Sequence, residues 1–167
     1  MVNTDKKRII LIILSGVLSI SAILTTRSFI NRGIWFDEAL TILEFSVPPD
    51  SVYGVYRNYT IPNNHILYSI ILRFWLDYVA SFFYFSNPIL RLPSLIAGVA
   101  FLLLSFFLWK KYLSEYSIFL PLLSFAVSPA FAIYATALRG YIFSMLILSL
   151  AIWALFLSCE NRKHSYL

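Results

Sequence analysis

Charge is scarce in this chain. Only 13% of its 167 residues are Asp, Glu, Lys or Arg, while 60% are hydrophobic and 18% aromatic. A soluble domain of this length needs far less apolar surface to form one core, so part of the chain must be solvated by a bilayer. No segment shows the apolar–polar alternation of a spanning strand. Backbone amides in hydrocarbon need partners within their own element, which predicts helices. The single Cys159 excludes an intramolecular disulfide and reads as a small apolar filler. The chain has no Gly-rich phosphate loop. Internal repeats, low-complexity tracts and a soluble domain are likewise missing.

The charges that are present sit mostly at segment ends. The formal charge of +5 is thus a matter of orientation and of contact with anionic head groups, and no nucleic-acid partner is expected. Lys6-Lys7-Arg8 precede an apolar run, which predicts a crossing over residues 9–26 with a cytoplasmic N-terminus. A cleaved signal peptide is the competing reading, with Ser19-Ile20-Ser21 as its cleavage region, although the run exceeds the usual signal core. Under either reading residues 27–64 form an extracytoplasmic loop.

That loop opens with Trp35-Phe36-Asp37-Glu38, two adjacent acids at a membrane rim. Phe36, Leu40, Leu43 and Val47 share one helical face, and Asp37, Thr41 and Glu44 share another. Pro48-Pro49 end the pattern. The spacing predicts a short juxtamembrane helix with its apolar side toward lipid and its acids toward water. A tyrosine-rich stretch, Tyr53 to Tyr59, follows, and then a turn through Ile61-Pro62-Asn63-Asn64-His65.

Residues 65–157 carry the remaining hydrophobic helices, for a total of four to five in one all-α membrane domain spanning 1–167. The run from His65 to Phe85 is interrupted by Arg73 and Asp77, four apart and able to neutralise each other on one helix face. Ile89 to Trp109 is closed by Lys110-Lys111. The stretch Ser117 to Leu157 is divided by Ser128-Pro129 and by the polar residues around Arg139-Gly140. One crossing per segment would leave Lys110-Lys111 outside, against the charge rule. A half-spanning or re-entrant segment removes the conflict, and the run holding Arg73 and Asp77 is one suspect.

Four groups of residues occur in a familiar order: Trp35-Phe36-Asp37-Glu38-Ala39; Asn64-His65-Ile66-Leu67-Tyr68; Arg91-Leu92-Pro93-Ser94-Leu95-Ile96-Ala97-Gly98; and Tyr134 through Arg139 with Tyr141. In this the chain resembles the N-terminal part of the polytopic glycosyltransferases of the C-type superfold, the group that includes protein O-mannosyltransferases and lipid A aminoarabinose transferases. The resemblance covers residues 9 to 157. Ile66 and Leu67 stand where the family has one or two prolines after His, and Ala137-Leu138 stand where an acid often precedes the arginine. Family members are several hundred residues long, so the chain is expected to be an incomplete transferase.

The resemblance implies a membrane enzyme, in a plasma (inner) membrane, that moves a sugar from a polyprenyl-phosphate donor to an extracytoplasmic acceptor hydroxyl. An inverting transfer needs a base, and Asp37 matches the family's acidic catalytic position. Glu38 would support it by positioning the acceptor or, in metal-using relatives, by contributing to a divalent-cation site. Arg139 is the implied cation for the leaving phosphate, with His65 and Tyr141 as lesser substrate-binding candidates. A complementing C-terminal fragment or an oligomer would supply the rest. Bland readings stand beside these. The acids can cap their helix, His65 can be a turn hydrogen-bonder, and Arg91 can anchor a helix end by snorkelling. Other classes open to this chain are a non-catalytic remnant or accessory subunit, and a small transport or channel subunit whose pathway is lined by Arg73, Asp77 and Arg139.

Overall fold

The computed structural model describes residues 4–47, 51–57, 65–79, 82–83, 86–114 and 116–164, and among these every regular element is helical. The elements are α1 (Thr4–Ile30), α2 (Phe36–Leu40) running into a π-helical stretch (Thr41–Ser46), α3 (Val52–Arg57), α4 (Ile66–Tyr78), α5 (Asn87–Trp109), α6 (Phe119–Ala126), α7 (Pro129–Thr136) and α8 (Tyr141–His164). Pro48-Pro49, Tyr59 and the turn from Ile61 to Asn64 lie outside the described residues.

Among the described residues, three helical segments are long and apolar enough to cross a membrane: Lys6–Ile30, Asn87–Trp109 and Tyr141–Cys159. α6 and α7 qualify together as a fourth, bent by 67° where Pro129 cannot continue the preceding helix. Ser128 caps the new start by accepting from the Phe131 amide at 3.3 Å. Cys159 lies exposed on α8 and fills no core gap.

The segment from His65 does not behave as a crossing. α4 has 13 residues, about 20 Å of helix against a hydrocarbon core of about 30 Å. Its buried Tyr68, Leu72 and Leu76 form one cluster with Leu90 and Leu138, which belong to the first turn of α5 and the α7–α8 link. Arg73 reaches the Val47 carbonyl at 2.7 Å, and Trp75 donates to the Ile89 carbonyl at 2.9 Å. α4 therefore lies across one end of the bundle. The Trp75 contact has a covalent origin: Pro93 lacks the N–H that would normally serve Ile89 four residues earlier, and the indole supplies it.

With α4 across the end, the long elements alternate in direction. Leu11 of α1 shares a cavity wall with Lys110 and Ile118, whereas Arg91 meets Glu38 and the end of α7. Ile142 packs near Gly98, and the Tyr112 and Phe156 rings lie 5.7 Å apart, so α8 runs in the same sense as α5. Lys110-Lys111 thus share an end with Lys6-Lys7-Arg8, opposite Asp37-Glu38. Between the ends, Ala97, Phe101, Phe131, Ala135 and Ile142 form the core, with the Phe101, Phe125 and Phe131 ring centroids 5.3–5.7 Å apart. Gly98 permits the contact of α5 with α7, since a Cβ there would come within 2.9 Å of the Ala135 Cβ.

Candidate functional site

The acidic end is built around two carboxylates with opposite surroundings. Adjacent positions on a helix are separated by roughly 100°, so Asp37 and Glu38 cannot face the same way. Glu38 points into the bundle and is 1% exposed; Asp37 points out and is 57% exposed. Both acids were expected to face water. Glu38 instead turns inward, where Arg32, Arg91 and the amides of Trp35 and Leu138 donate to it, and Thr41 is buried as well, where the helix widens to i→i+5 bonding. Phe36, Leu43 and Val47 are exposed, forming an outward apolar face.

Five N–H donors converge on Glu38. Oε1 accepts from Arg32 at 2.9 Å, Arg91 at 2.9 Å and the Leu138 amide at 3.0 Å. Oε2 accepts from Arg91 at 2.9 Å and the Trp35 amide at 3.1 Å. The Arg91 pairing is bidentate, the strongest carboxylate geometry a side chain offers. Burial by itself would raise the Glu38 pKa, but the Arg91 hydrogen bonds and charge and the Leu138 and Trp35 amides outweigh it and hold it below its ordinary value. The Trp35 bond is also the carboxylate half of a helix cap, so that bland reading is realised for Glu38 alone.

Arg91 does not snorkel. It is 0% exposed, because Glu38 and the carbonyl of Thr136 satisfy it inside the fold. α7 ends at Thr136, leaving carbonyls without helical donors. Arg91 serves that of Thr136, and Ser94, three residues on along the same face of α5, serves that of Ala137. The Arg-Leu-Pro-Ser sequence thus fastens the α7–α8 link with its first and last members and captures Trp75 through its proline. Arg32, which no sequence pattern singled out, is the second partner of Glu38 and lies 4.3 Å over the Trp35 ring. A cation four residues into an apolar helix, as Arg91 is, was the available signal for its role.

Asp37 Oδ2 accepts from Arg139 Nη1 at 2.6 Å, across 102 residues of sequence. Arg139 is 9% exposed and sits 5.7 Å from the Tyr141 ring. Tyr141 in turn contacts His65 edge-on at 4.8 Å and Tyr134 at 5.2 Å. Gly140 makes this closeness possible: a Cβ there would lie 2.9 Å from the His65 Cβ and 3.0 Å from its ring. Burial, and then the Arg139 charge, lower the His65 pKa below 6.5, which favours neutral imidazole at pH 7. A small cavity of about 140 Å³ opens beside His65, Tyr68, Gly140 and Ser144.

Asp37, Glu38, His65, Arg139 and Tyr141 therefore meet at one end of the bundle. Arg73 and Asp77 do not join them. They pair with each other at 2.8 Å, and Arg73 also holds the end of the π-helical stretch, a clamp between α4 and that stretch. A divalent cation does not suit these residues: guanidinium groups occupy both Glu38 oxygens, and Asp37 faces Arg139. Among the described residues no three His, Cys, Asp or Glu side chains converge. Comparison with known proteins finds no matching family model, curated protein or solved structure.

Proposed function

We propose that the chain is the substrate-facing module of an integral membrane glycosyltransferase, with the Asp37 end outside the cytoplasm. One observation carries the reading: an exposed carboxylate at the rim is held against a nearly buried arginine 102 residues away, beside an imidazole and two tyrosines. Orientation rests on charge. Lys6, Lys7, Arg8, Lys110 and Lys111 gather at the other end, which the charge rule assigns to the cytoplasm.

The donor is a sugar on a polyprenyl phosphate, anchored by its own lipid. As the acceptor oxygen attacks the anomeric carbon, the bond from that carbon to the phosphate oxygen breaks and the polyprenyl phosphate leaves with the electron pair. Asp37 takes the acceptor proton, a transfer that positioned carboxylates accelerate by about 10²–10⁴-fold. Arg139 stabilises the departing phosphate, which draws it from Asp37 and frees that carboxylate to act as base. Tyr141 and His65 flank the sugar. Glu38 is a positioning residue, since its oxygens are fully engaged. The remainder of the cavity comes from a complementing fragment or an oligomer.

A transport pathway fits less well, because Arg73, Asp77 and Arg139 are committed to separate partners. The test is sugar transfer from a polyprenyl-phosphate sugar in membranes holding the full chain and any complementing fragment. Replacing Asp37→Asn is expected to abolish transfer at unchanged expression; undiminished transfer removes Asp37 as the base.

A further inference from the structure

A cavity of about 740 Å³ lies away from the carboxylates, between α1, α5 and α6. That is the size of a ligand site. Its α1 wall is Leu11, Ser15, Leu18, Ser19 and Ala22, where the two serines and the alanine keep part of the space open; Phe106 and Lys110 are on the facing wall of α5.

Its depth is informative. Both walls run eleven residue steps, from Leu11 to Ala22 and from Val99 to Lys110, which is about 16 Å of helix and about half of a 30 Å hydrocarbon core. That depth matches the thickness of one leaflet. Lys110 stands at its headgroup end, with Lys111 next in sequence and Lys7 and Arg8 at the adjoining end of α1. Such a cation cluster attracts anionic head groups.

We propose that this cavity is a binding site for one anionic phospholipid of the leaflet on the Lys110 side. An acyl chain lies between α1 and α5, and the phosphate sits on Lys110. The phosphate seated on Lys110 is not that of the polyprenyl donor, since the nineteen residue steps from Arg91 to Lys110 put the cavity mouth about 28 Å from the acidic end. The site is independent of sugar transfer and stands or falls without it.

The experiment reconstitutes the full chain in vesicles of equal phosphatidylglycerol and phosphatidylcholine, extracts it in mild detergent and counts bound lipid by native mass spectrometry. One phosphatidylglycerol per chain is expected, in preference to phosphatidylcholine. Lys110→Gln should cut that preference about fivefold, the effect of one surface cation. Ser19→Phe, which projects a ring into the cavity from the α1 wall, should reduce bound lipid while circular dichroism shows unchanged helix content. Equal retention of the two lipids, or retention of phosphatidylglycerol by both variants, overturns the proposal. So does cross-linking of two chains through Ser19→Cys, in a Cys159→Ser background, with no lipid bound.

Discussion

Substituting Glu38→Gln changes little in shape and much in electrostatics. The carboxylate accepts five N–H bonds. The amide retains one acceptor oxygen and turns an NH₂ group toward donors from Arg91 and Trp35. Arg91, 0% exposed, then loses its counter-charge and cannot reach water. Removing one partner of a buried pair costs about 3–5 kcal/mol, a large part of a typical total of about 5–15 kcal/mol. Arg91→Met should cost less, because it withdraws the guanidinium while Arg32 and two backbone amides still serve Glu38. The double variant should recover about 0.5–3 kcal/mol relative to the sum of the singles.

The assay is reversible unfolding of the full chain in mixed micelles, followed by tryptophan fluorescence and helicity. Its pH dependence supplies a second check. The folded pKa of Glu38 lies below its ordinary value of 4.5, so the unfolded state takes up the proton first as pH falls. The stability due to Glu38 is therefore complete above pH 4.5 and is lost as pH falls through the folded value. Glu38→Gln should lack that acid slope. A single variant within about 0.5 kcal/mol of the parent, the range of an ordinary surface substitution, and additive with Arg91→Met refutes the lock.

Three other outcomes are expected. Gly140→Ala should push His65 off Tyr141, given the 2.9 Å approach, and destabilise the fold by about 1–3 kcal/mol as an overpacked contact; chemical denaturation measures it, and a neutral result contradicts the described packing. In Arg139→Gln the His65 pKa should rise toward 6.5, because one of the two influences lowering it is gone; imidazole NMR titration reads this, and an unmoved midpoint removes the Arg139 influence. In the parent, protonation of His65 should weaken folding as pH falls through 6.5, since the folded site disfavours the charged form. Single cysteines at Ser114 and at Gly33, each in a Cys159→Ser background, should be labelled by an impermeant thiol reagent from opposite faces of the membrane; labelling from the same face overturns the arrangement in which α4 does not cross.

Much of the architecture was legible because hydropathy is a local property. Runs of apolar residues marked the long helices; Ser128-Pro129 and the stretch before Gly140 marked the breaks, where proline chemistry and polar backbone interrupt a helix. The Arg73–Asp77 pair followed from its spacing of four. Exposure was harder to read. Helical periodicity put Thr41 on a water-facing side, yet a shift to π-helical bonding and the contact with α4 turned it inward. Arg91 read as a rim anchor because nothing near it in sequence carries a negative charge.

By itself, the sequence determined that the regular elements are helices and that several segments are apolar enough to cross a bilayer, with an adjacent pair of acids after the first long segment and basic residues closing others. These follow from composition and from neighbours within a few residues. Only the tertiary structure decided which acid is buried, which arginine answers it, and that α4 lies across the bundle so that Lys110 joins the N-terminal cations. The reason is physical. A carboxylate's surroundings are set by whichever N–H groups arrive in space, and here Leu138, Arg91 and Arg139 arrive from 53 to 102 residues away.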